Sequence, residues 1–254
     1  MKLRVLGCSG GIGGALHTTS FLVDRDMLID AGTGVGELPL AELAAIDHIF
    51  ITHSHMDHIC NLPLLLDSVA AMRDQPVNVY ATRATLEILK RHIFNWEVWP
   101  DFSEIYRRLE TVMRYREIAI GETIRLQGRR ITALPAVHTV PAVGYHLDSG
   151  EGSLVFSGDT YVNDALWEAV NRVDNLRYLI VETAFSNREK ELAVLSQHLC
   201  PSLLAEELKK LQKEAEIYIT HLKPDEVALI MEEIGNSAGP HDPKMLVNNQ
   251  VLEF

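Results

Sequence analysis

The sequence predicts an α/β (α+β) fold in which two mixed β-sheets pack face to face and helices cover both outer faces, a four-layer αββα sandwich. Strand-like runs fall into two blocks, and segments with helical spacing follow each block. The chain has 254 residues, of which 47% are hydrophobic and 23% charged, so it is long enough to bury a large core. Because the sequence contains no linker or internal repeat, we expect a single domain over residues 1–254.

The first block contains five short apolar runs and two helical segments. Strands are predicted over residues 3–6, 19–23, 27–30, 46–51 and 77–81, and helices over residues 62–72 and 82–92. A glycine-rich turn over residues 7–14 separates the first two strands. It lacks both the G-x-G-x-x-G pattern before a helix and a trailing Gly-Lys-Ser/Thr. We therefore interpret it as a permissive loop between strands and not as a phosphate-binding loop.

The second block follows an irregular stretch, residues 94–113, which mixes aromatic, proline and charged residues and is typical of an insertion. After it, strands are predicted over residues 118–124, 131–137, 143–147, 154–157, 178–182 and 216–220. Helices are predicted near residues 162–171, 188–196, 201–213 and 225–234. This alternation predicts a second sheet with its own covering helices.

Composition limits the partners and the compartment. The 23 Lys and Arg residues against 35 Asp and Glu residues give a formal net charge of −12, which argues against a nucleic acid partner. Cys8, Cys60 and Cys200 are too widely spaced for a disulfide framework, which favours a reducing compartment. No stretch approaches the roughly 18 consecutive apolar residues of a membrane span. We therefore expect a cytoplasmic protein with no membrane contact.

Four potential metal ligands fall within six residues, in the segment Thr52-His53-Ser54-His55-Met56-Asp57-His58. The segment joins a predicted strand to a predicted helix. Because side chains alternate in an extended chain, His53 and His55 point the same way and can hold one ion. Asp57 and His58 fall at the helix start, where they can turn toward a second ion. A nitrogen and oxygen ligand set without thiolates suits zinc, and also manganese or iron.

Three further candidate ligands come directly after apolar strands of the second block. They are His138, Asp159 and His221. A polar residue just beyond a strand has a fixed backbone and faces a loop that opens to solvent. Together with the histidine-rich segment, these residues predict a site for two divalent metal ions, of which zinc is the first choice.

This pattern, H-x-H-x-D-H followed by a distant His, Asp and His, resembles that of the metallo-β-lactamase-fold superfamily over residues 6–221. The resemblance implies the αββα sandwich and a hydrolytic dimetal site. It implies that one ion is bound by His53, His55 and His138, and the other by Asp57, His58 and His221. Asp159 would bridge the two ions. True β-lactamases usually carry cysteine at the position of Asp159, so antibiotic hydrolysis is not expected.

Three later motifs are similar to those of the class II cyclic-nucleotide phosphodiesterases, which show E-x-S-F-x-N, G-H-L-T-P and T-H-x-K-P. The corresponding segments begin at Glu182, Gln197 and Thr220. This chain departs from the pattern at Ala184, Gln197 and Cys200, none of which replaces an ionisable residue. The resemblance implies a hydrolase that opens a 3′,5′-cyclic nucleotide, such as cyclic AMP or cyclic GMP, to the 5′-monophosphate. Relatives are often dimers, so it also implies a homodimer.

Phosphodiester hydrolysis needs a nucleophile, neutralised phosphoryl oxygens and a proton for the leaving alkoxide. Two ions about 3.5–4 Å apart can supply the first two through a bridging hydroxide and a clamp on the substrate oxygens. We expect Asp57 to orient that hydroxide. We expect His198 to give the proton, while Glu182 orients its imidazole and raises its pKa. Lys223, close after His221, is the candidate for contact with the substrate phosphate.

Two other functions remain open. The tRNA 3′-processing endonucleases carry a related pair at the positions of Glu182 and His198, but the net charge of −12 and the lack of an evident basic glycine-rich arm count against that function. A non-enzymatic di-iron sensor is the third hypothesis. Its relatives typically place a carboxylate where this chain has His55, which favours hydrolysis. The histidines that fit no ligand spacing are His17, His48, His92, His146 and His241.

Overall fold

Two seven-stranded β-sheets form the centre of the computed structural model, which describes residues 1–107 and 110–254. Both sheets are mixed, because each contains parallel and antiparallel strand pairs. Helices pack on the outer face of each sheet through separate apolar clusters. The predicted four-layer αββα arrangement is therefore confirmed.

The first part of the chain supplies most of one sheet and the helices against it. Its strands are β1 (Lys2–Gly7), β2 (Ser20–Val23), β3 (Met27–Ile29), β4 (His48–Phe50) and β5 (Val77–Ala81). Its helices are α1 (Leu40–Leu43), α2 (Met56–Ile59), α3 (Leu62–Val69) and α4 (Arg83–His92). Because β3, β4 and β5 are parallel neighbours, their carboxyl ends lie at one edge of the sheet.

The middle of the chain returns to the same sheet. Strands β6 (Tyr106–Arg107) and β7 (Glu110–Thr111) pair with each other, and β8 (Met113–Glu117) pairs in parallel with β5. The predicted insertion therefore ends where β8 begins, and its residues 108–109 lie outside the described part of the chain. Since the first residue of β8 pairs with the first residue of β5, this stretch approaches the sheet at the end opposite the carboxyl edge.

The rest of the chain builds the second sheet. Its strands are β9 (Thr123–Leu126), β10 (Arg129–Pro135), β11 (Val143–Asp148), β12 (Ser153–Phe156), β13 (Leu176–Glu182), β14 (Glu216–Thr220) and β15 (Lys244–Met245). Its helices are α5 (Asp164–Asn171), α6 (Lys190–Ser196), α7 (Pro201–Leu208) and α8 (Val227–Ser237). A last strand, β16 (Val251–Glu253), crosses back to pair with β1 of the first sheet.

In each sheet, the parallel strands lie together on one side and include an edge strand. The first sheet has the order β16-β1-β2-β3-β4-β5-β8, and the second has the order β15-β14-β13-β12-β11-β10-β9. Strands β12, β13 and β14 are parallel neighbours, so their carboxyl ends also share an edge. The loops that follow these two edges carry the residues described below.

The core between the sheets follows from alternation along the strands. In β3, Met27 and Ile29 face the second sheet, whereas Leu28 faces the helices of the first sheet. Aromatic side chains fill the space between the sheets, and the rings of Phe21 and Phe156 meet edge to face with centroids 5.0 Å apart. This packing fixes the two carboxyl edges relative to each other.

Several predicted elements differ from the structure in extent. The predicted helix over residues 62–72, for example, ends at Val69. The predicted strand over residues 118–124 is a turn as far as residue 122, because Gly121 has a φ of +84° and the Glu122 carboxylate accepts a hydrogen bond from the Ala119 amide. The predicted helix over residues 201–213 ends at Leu208. There, Asn171 of α5 bonds the Lys210 carbonyl and the Gln212 amide, so a tertiary contact takes over groups that a longer helix would pair.

The thiols and the helix lengths are two further features of the fold. All three cysteines are free thiols, and Cys200 is buried. Burial raises the pKa of Cys8 to about 12, which keeps its thiol protonated. Within the described ranges, no helix is long and apolar enough to cross a membrane.

Candidate metal centre

Side chains from both sheets meet where the parallel strands end. The segment after β4 and the loops after β10, β12 and β14 supply them. The structure brings all the predicted ligands into overlapping groups whose ligand atoms lie within 4.8 Å of one another: His53, His55, Asp57, His58, His138, Asp159 and His221. The ligands thus come from both halves of the sandwich.

The first group consists of His53, His55 and His138. The Nδ1 of His138 lies 3.1 Å from the carbonyl oxygen of Gln197, and its Nε2 lies 3.1 Å from Nδ1 of His55. Because the carbonyl can only accept, Nδ1 of His138 carries the proton and Nε2 offers its lone pair. Burial lowers the pKa of His138 to about 4, so its imidazole is neutral at pH 7, the form that binds metal ions.

The second group consists of Asp57, His58 and His221. The Nε2 of His221 lies 3.7 Å from Oδ2 of Asp57. Burial lowers the pKa of His221 to about 3, which also keeps this imidazole neutral. His221 has a φ of +64°, and its amide donates a 2.8 Å hydrogen bond to the Cys8 carbonyl. This bond joins the residues directly after β1 and β14, and it holds His221 in a backbone conformation that non-glycine residues seldom adopt.

Asp159 lies between the two groups and is 2% exposed. Its Oδ2 is 3.3 Å from Nε2 of His58 and 3.7 Å from Nε2 of His53. Its Oδ1 is 3.4 Å from Nδ1 of His221. One carboxylate therefore faces ligand atoms of both groups, which is the placement that a bridging ligand needs.

Several candidate ligand atoms of this centre are buried and have no hydrogen-bond partner among the residues that the structure describes. These atoms are His53 Nε2, His58 Nε2, Asp159 Oδ1 and His221 Nδ1. Buried polar groups are nearly always paired, so atoms of this kind gathered in one place call for a bound partner. Imidazole nitrogens and a carboxylate suit divalent cations of the zinc, manganese and iron type. The residues present therefore fit a dimetal centre.

Asp30, at the end of β3, orients this centre and was missed by the sequence analysis. Its Oδ2 lies 2.7 Å from Nδ1 of His58 and accepts a 2.7 Å bond from the Thr52 hydroxyl, while Oδ1 accepts from the Thr52 amide at 2.7 Å. Burial raises the pKa of Asp30 against these bonds. Despite burial, Asp159 and Asp30 raise the pKa of His58 well above its usual value. The available signal was an acidic residue directly after an apolar strand, as at Asp159.

Glu182 and His198 form a buried pair beside the metal-ligand groups. The Nδ1 of His198 lies 2.9 Å from Oε1 of Glu182, which is fully buried at the end of β13. The His198 ring lies 4.8 Å from the His138 ring and 5.0 Å from the His221 ring, centroid to centroid. Burial alone would lower the pKa of His198, but the charge and hydrogen bond of Glu182 outweigh it and raise that pKa. Glu182 thus keeps Nδ1 occupied, so Nε2 is the ring nitrogen that can engage another group.

His198 also forms a group with His138 and Asp159, with ligand atoms within 4.8 Å of one another. The fold therefore brings the predicted acid as close to the ligands as they are to each other.

The beta-lactamase superfamily domain is matched over residues 25–238 of this chain. The chain belongs to the metallo-β-lactamase superfamily. Membership and the buried His and Asp clusters together identify a metal-dependent hydrolase.

The chain is similar to two relatives of known class and to one solved structure. The chain is 27% identical over 232 residues to a probable 3′,5′-cyclic-nucleotide phosphodiesterase of Yersinia pestis, covering 77% of this chain and 64% of that protein. It is 30% identical over 152 residues to ribonuclease Z of Archaeoglobus fulgidus, covering 57% of this chain and 46% of that protein. The crystal structure of unliganded yeast PDE1 superposes with a TM-score of 0.82 at 17% identity, covering 100% of this chain and 99% of that one.

Lys223 and the glycine-rich loop over residues 7–14 lie beside His221 at the edge of the metal-ligand groups. The Lys223 ammonium donates a 2.7 Å hydrogen bond to the Gly10 carbonyl and lies 5.9 Å from the centre of the Phe185 ring. The Gly10 amide donates to the Leu222 carbonyl at 2.9 Å. A Cβ on Gly10 would lie 2.4 Å from the His221 carbonyl oxygen, so only glycine fits there. In the structure, the loop over residues 7–14 therefore packs against the turn at His221 and supports its conformation.

The departures from the phosphodiesterase motifs have local structural explanations. Ala184 is fully buried, where serine would need a hydrogen-bond partner. Gln197 has a φ of +55°, a conformation that the glycine of the family adopts without strain. Cys200 makes no side-chain cap for α7, and the Asn187 carboxamide oxygen accepts from the Ser202 amide instead. None of the three alters a predicted ligand.

The histidines without a predicted role lie outside the ligand groups found in the described residues: His17, His48, His92, His146 and His241. His48 lies 3.4 Å from the Tyr80 hydroxyl, and His92 is exposed at the end of α4. The exposed His92 serves below as a control position.

Proposed function

We propose that this chain is a phosphodiesterase that opens a 3′,5′-cyclic nucleotide to the 5′-monophosphate. The observation that carries the proposal is the buried Glu182–His198 pair beside the metal-ligand groups. A hydrolase that releases an alkoxide needs an acid close to its metals, and a histidine held by a carboxylate is suited to that role. The 27% identity with the Yersinia pestis relative supports the same substrate class.

We assign the metal ligands as two sets that share Asp159, with His53, His55 and His138 in one and Asp57, His58 and His221 in the other. When bound, two divalent ions, which we propose to be zinc, would lower the pKa of an attacking water and neutralise the phosphoryl oxygens. Asp57, whose side chain is 29% exposed, would accept a hydrogen bond from that water and orient it.

His198 would hold the transferred proton at Nε2, since Nδ1 is engaged by Glu182. It would donate this proton to the departing 3′ oxygen of the ribose, and Glu182 would balance the charge of the imidazolium. Lys223 contributes a positive charge that acts on both Asp57 and His198. We assign it a contact with a phosphoryl oxygen of the substrate.

The direct test is hydrolysis of cyclic AMP and cyclic GMP by protein loaded with zinc or with manganese. The His198→Ala variant should keep both ions and lose about 10²–10⁴-fold in turnover, the usual contribution of a general acid. The Asp159→Ala variant should lose metal and activity together. Replacing the exposed His92 by alanine is the matched control and should change neither. Inactivity of the parent chain with both nucleotides in both metals would reject the proposal.

A tRNA 3′-processing endonuclease is the second candidate, favoured by the 30% identity with ribonuclease Z. The formal net charge of −12 weighs against it, because binding to a nucleic acid backbone depends on neutralising phosphates with Lys and Arg. Binding of precursor tRNA at low salt, followed by cleavage at the 3′ end, would favour this candidate over the cyclic nucleotide.

A further inference from the structure

We propose that Thr160 is a positioning residue that holds His138 at a fixed place relative to the Glu182–His198 pair. The inference deepens the proposed function, and its catalytic half rests on that function. Thr160 directly follows Asp159 and is 2% exposed. Its amide and its hydroxyl bind groups that belong to two other loops of the site.

The amide of Thr160 acts on the proposed acid. It donates a 3.1 Å hydrogen bond to Oε1 of Glu182, the same oxygen that lies 2.9 Å from Nδ1 of His198. The Leu199 amide donates a longer bond, 3.4 Å, to Oε2. Because two donors converge on Oε1, the carboxylate stays turned toward His198.

The hydroxyl of Thr160 acts on the His138 loop. Its oxygen accepts a 3.0 Å hydrogen bond from the Val137 amide, and its proton goes to the Tyr161 carbonyl at 3.0 Å. The Tyr161 amide in turn donates to the Val137 carbonyl at 2.7 Å. Both backbone groups of the residue before His138 are therefore bound by the segment after Asp159.

Asn163 and Glu207 hold that segment from the far side. The Asn163 carboxamide donates to the Pro135 carbonyl at 2.9 Å, and the Asn163 amide donates to Oε2 of Glu207 at 3.0 Å. Glu207 is 2% exposed and also accepts a 2.6 Å bond from the Trp167 indole. Because this network is buried and anchored in α7, residues 160–163 cannot shift to follow a displaced His138.

Removal of the hydroxyl separates positioning from packing. Valine fills almost the same volume as threonine but cannot accept from the Val137 amide, which would leave that donor unpaired. Val137, the residue before His138, would then lose one of its two hydrogen bonds to the segment after Asp159. Loss of a group that orients a metal ligand typically weakens metal binding about 10–100-fold.

The experiment compares the Thr160→Val and Thr160→Ser variants, with zinc alone as the probe. Metal-free protein is titrated with zinc in competition with a chelating dye. The parent should bind two ions, and Thr160→Val should bind one of them about 10–100-fold more weakly, because His138 belongs to only one of the two ligand sets assigned under the proposed function. The serine variant keeps the hydroxyl and should restore the binding.

Thr19 offers a matched control. It is 1% exposed, and its hydroxyl has no hydrogen-bond partner within the described residues. The Thr19→Val variant therefore makes the same chemical change in another buried threonine and should leave zinc binding unaltered. An equal loss in Thr19→Val would show that any buried hydroxyl serves, and it would overturn the proposal.

Kinetics supply the second measurement. With zinc at saturation, Thr160→Val should lower kcat on cyclic AMP more than it raises KM, because the displaced groups hold the acid and a ligand. Unchanged binding of both ions by Thr160→Val, equal weakening of both, or failure of serine to rescue would each overturn the proposal. So would a parent chain that binds fewer than two zinc ions. If the zinc results hold while cyclic nucleotides are not hydrolysed, the proposed function fails and the positioning of His138 stands.

Discussion

Three residues of the metal centre, Asp30, Gln197 and His221, have left-handed backbone conformations although none is glycine. Each such conformation costs about 1–3 kcal/mol and persists only where the surroundings hold it. Each also serves the site. Asp30 binds His58, the Gln197 carbonyl binds His138, and His221 is itself a candidate ligand.

The strain at Gln197 can be removed without touching its carbonyl. The Gln197→Gly variant should raise the free energy of unfolding by about 1 kcal/mol, because glycine adopts a positive φ without a Cβ penalty. Zinc binding should not change, since the bond to His138 comes from the backbone. Urea unfolding measures the gain. Ser196→Gly, one residue earlier at the helical end of α6, should instead lower stability by about 0.5–1 kcal/mol.

Asp30 can be tested by a substitution that keeps its shape. Asp30→Asn cannot accept from both Thr52 and His58 with full charge, so His58 loses its orienting partner. We expect zinc binding to weaken about 10–100-fold with the fold retained. Competition with a chelator measures the affinity, and circular dichroism checks the fold. The matched control is Asp47→Asn at a half-exposed ion pair with Arg73. Parent-like affinity in Asp30→Asn would show that His58 is oriented by other groups.

At the scale of elements, the sheets are joined at the end away from the metal centre by an ion pair. Arg129 of β10 contacts both carboxylate oxygens of Asp26, at 2.6 and 2.7 Å, in the turn between β2 and β3. A third hydrogen bond from Arg129 reaches Asp24 at 3.1 Å. This contact ties the β2–β3 hairpin of one sheet to the first residue of β10 in the other.

The Asp26–Arg129 pair makes stability depend on pH. Hydrogen bonds from Arg129 are the main cause that lowers the pKa of Asp26 in the folded chain. The stabilisation is fully present above about pH 4, the usual pKa of an unfolded aspartate, and is lost as pH falls through the lower folded pKa. Urea unfolding measured in buffers from about pH 6 to about pH 2 should show this loss of stability in the parent chain. The loss should be smaller in the Asp26→Asn variant. Identical profiles would contradict the assignment.

Strand β16 closes the edge of the first sheet beside β1 and buries Leu252 and Phe254 between the sheets. Phe254→Ala should lower the free energy of unfolding by about 3 kcal/mol, because it leaves a cavity in the inter-sheet core. Val251 on the same strand is 40% exposed, and Val251→Ala should change stability by less than about 0.5 kcal/mol. Equal losses from the two variants would show that the strand packs differently.

Strands with a continuous apolar run could be predicted from the sequence. The predictions were wrong where a few residues, or a contact with a distant segment, determine where an element begins or ends. The predicted strand over 118–124 contains Gly121, whose turn splits the run between β8 and β9. The end of α7 depends on Asn171 from another helix. Strands β15 and β16 are only two and three residues long, so no periodicity could reveal them.

At the scale of the whole molecule, the metal centre joins the two halves of the sandwich. Its histidine-rich segment follows β4 of the first sheet, whereas Asp159 and His221 follow β12 and β14 of the second. The residues of the His and Asp clusters could be selected from the sequence because each is a metal-binding residue type after a strand or within a dense motif. Asp30 and Thr160 were not identified, since their roles depend on partners that only the tertiary structure brings near.

Removal of metal should therefore weaken the whole fold. Without cations, the buried ligand atoms of His53, His58, Asp159 and His221 lose their partners. We expect zinc at 100 times its dissociation constant to add about 2.7 kcal/mol to the free energy of unfolding. The measurement is Tm against free zinc, with a chelator as the zero point. A Tm that does not change with zinc concentration would contradict the dimetal assignment. Visible absorption of protein purified with its native metal would reveal di-iron in place of zinc.

The position of the metal centre between the two sheets also affects the order in which the chain folds and binds metal. The candidate ligands come from distant parts of the sequence and from both sheets, so they can meet only when the two sheets pack together, as at the Phe21–Phe156 contact. Because contacts between distant segments form late in folding, high-affinity metal capture belongs to the final stage of refolding. The signal of a fluorescent zinc indicator present during refolding would then report the time at which the two sheets dock. This signal would lag behind the formation of secondary structure.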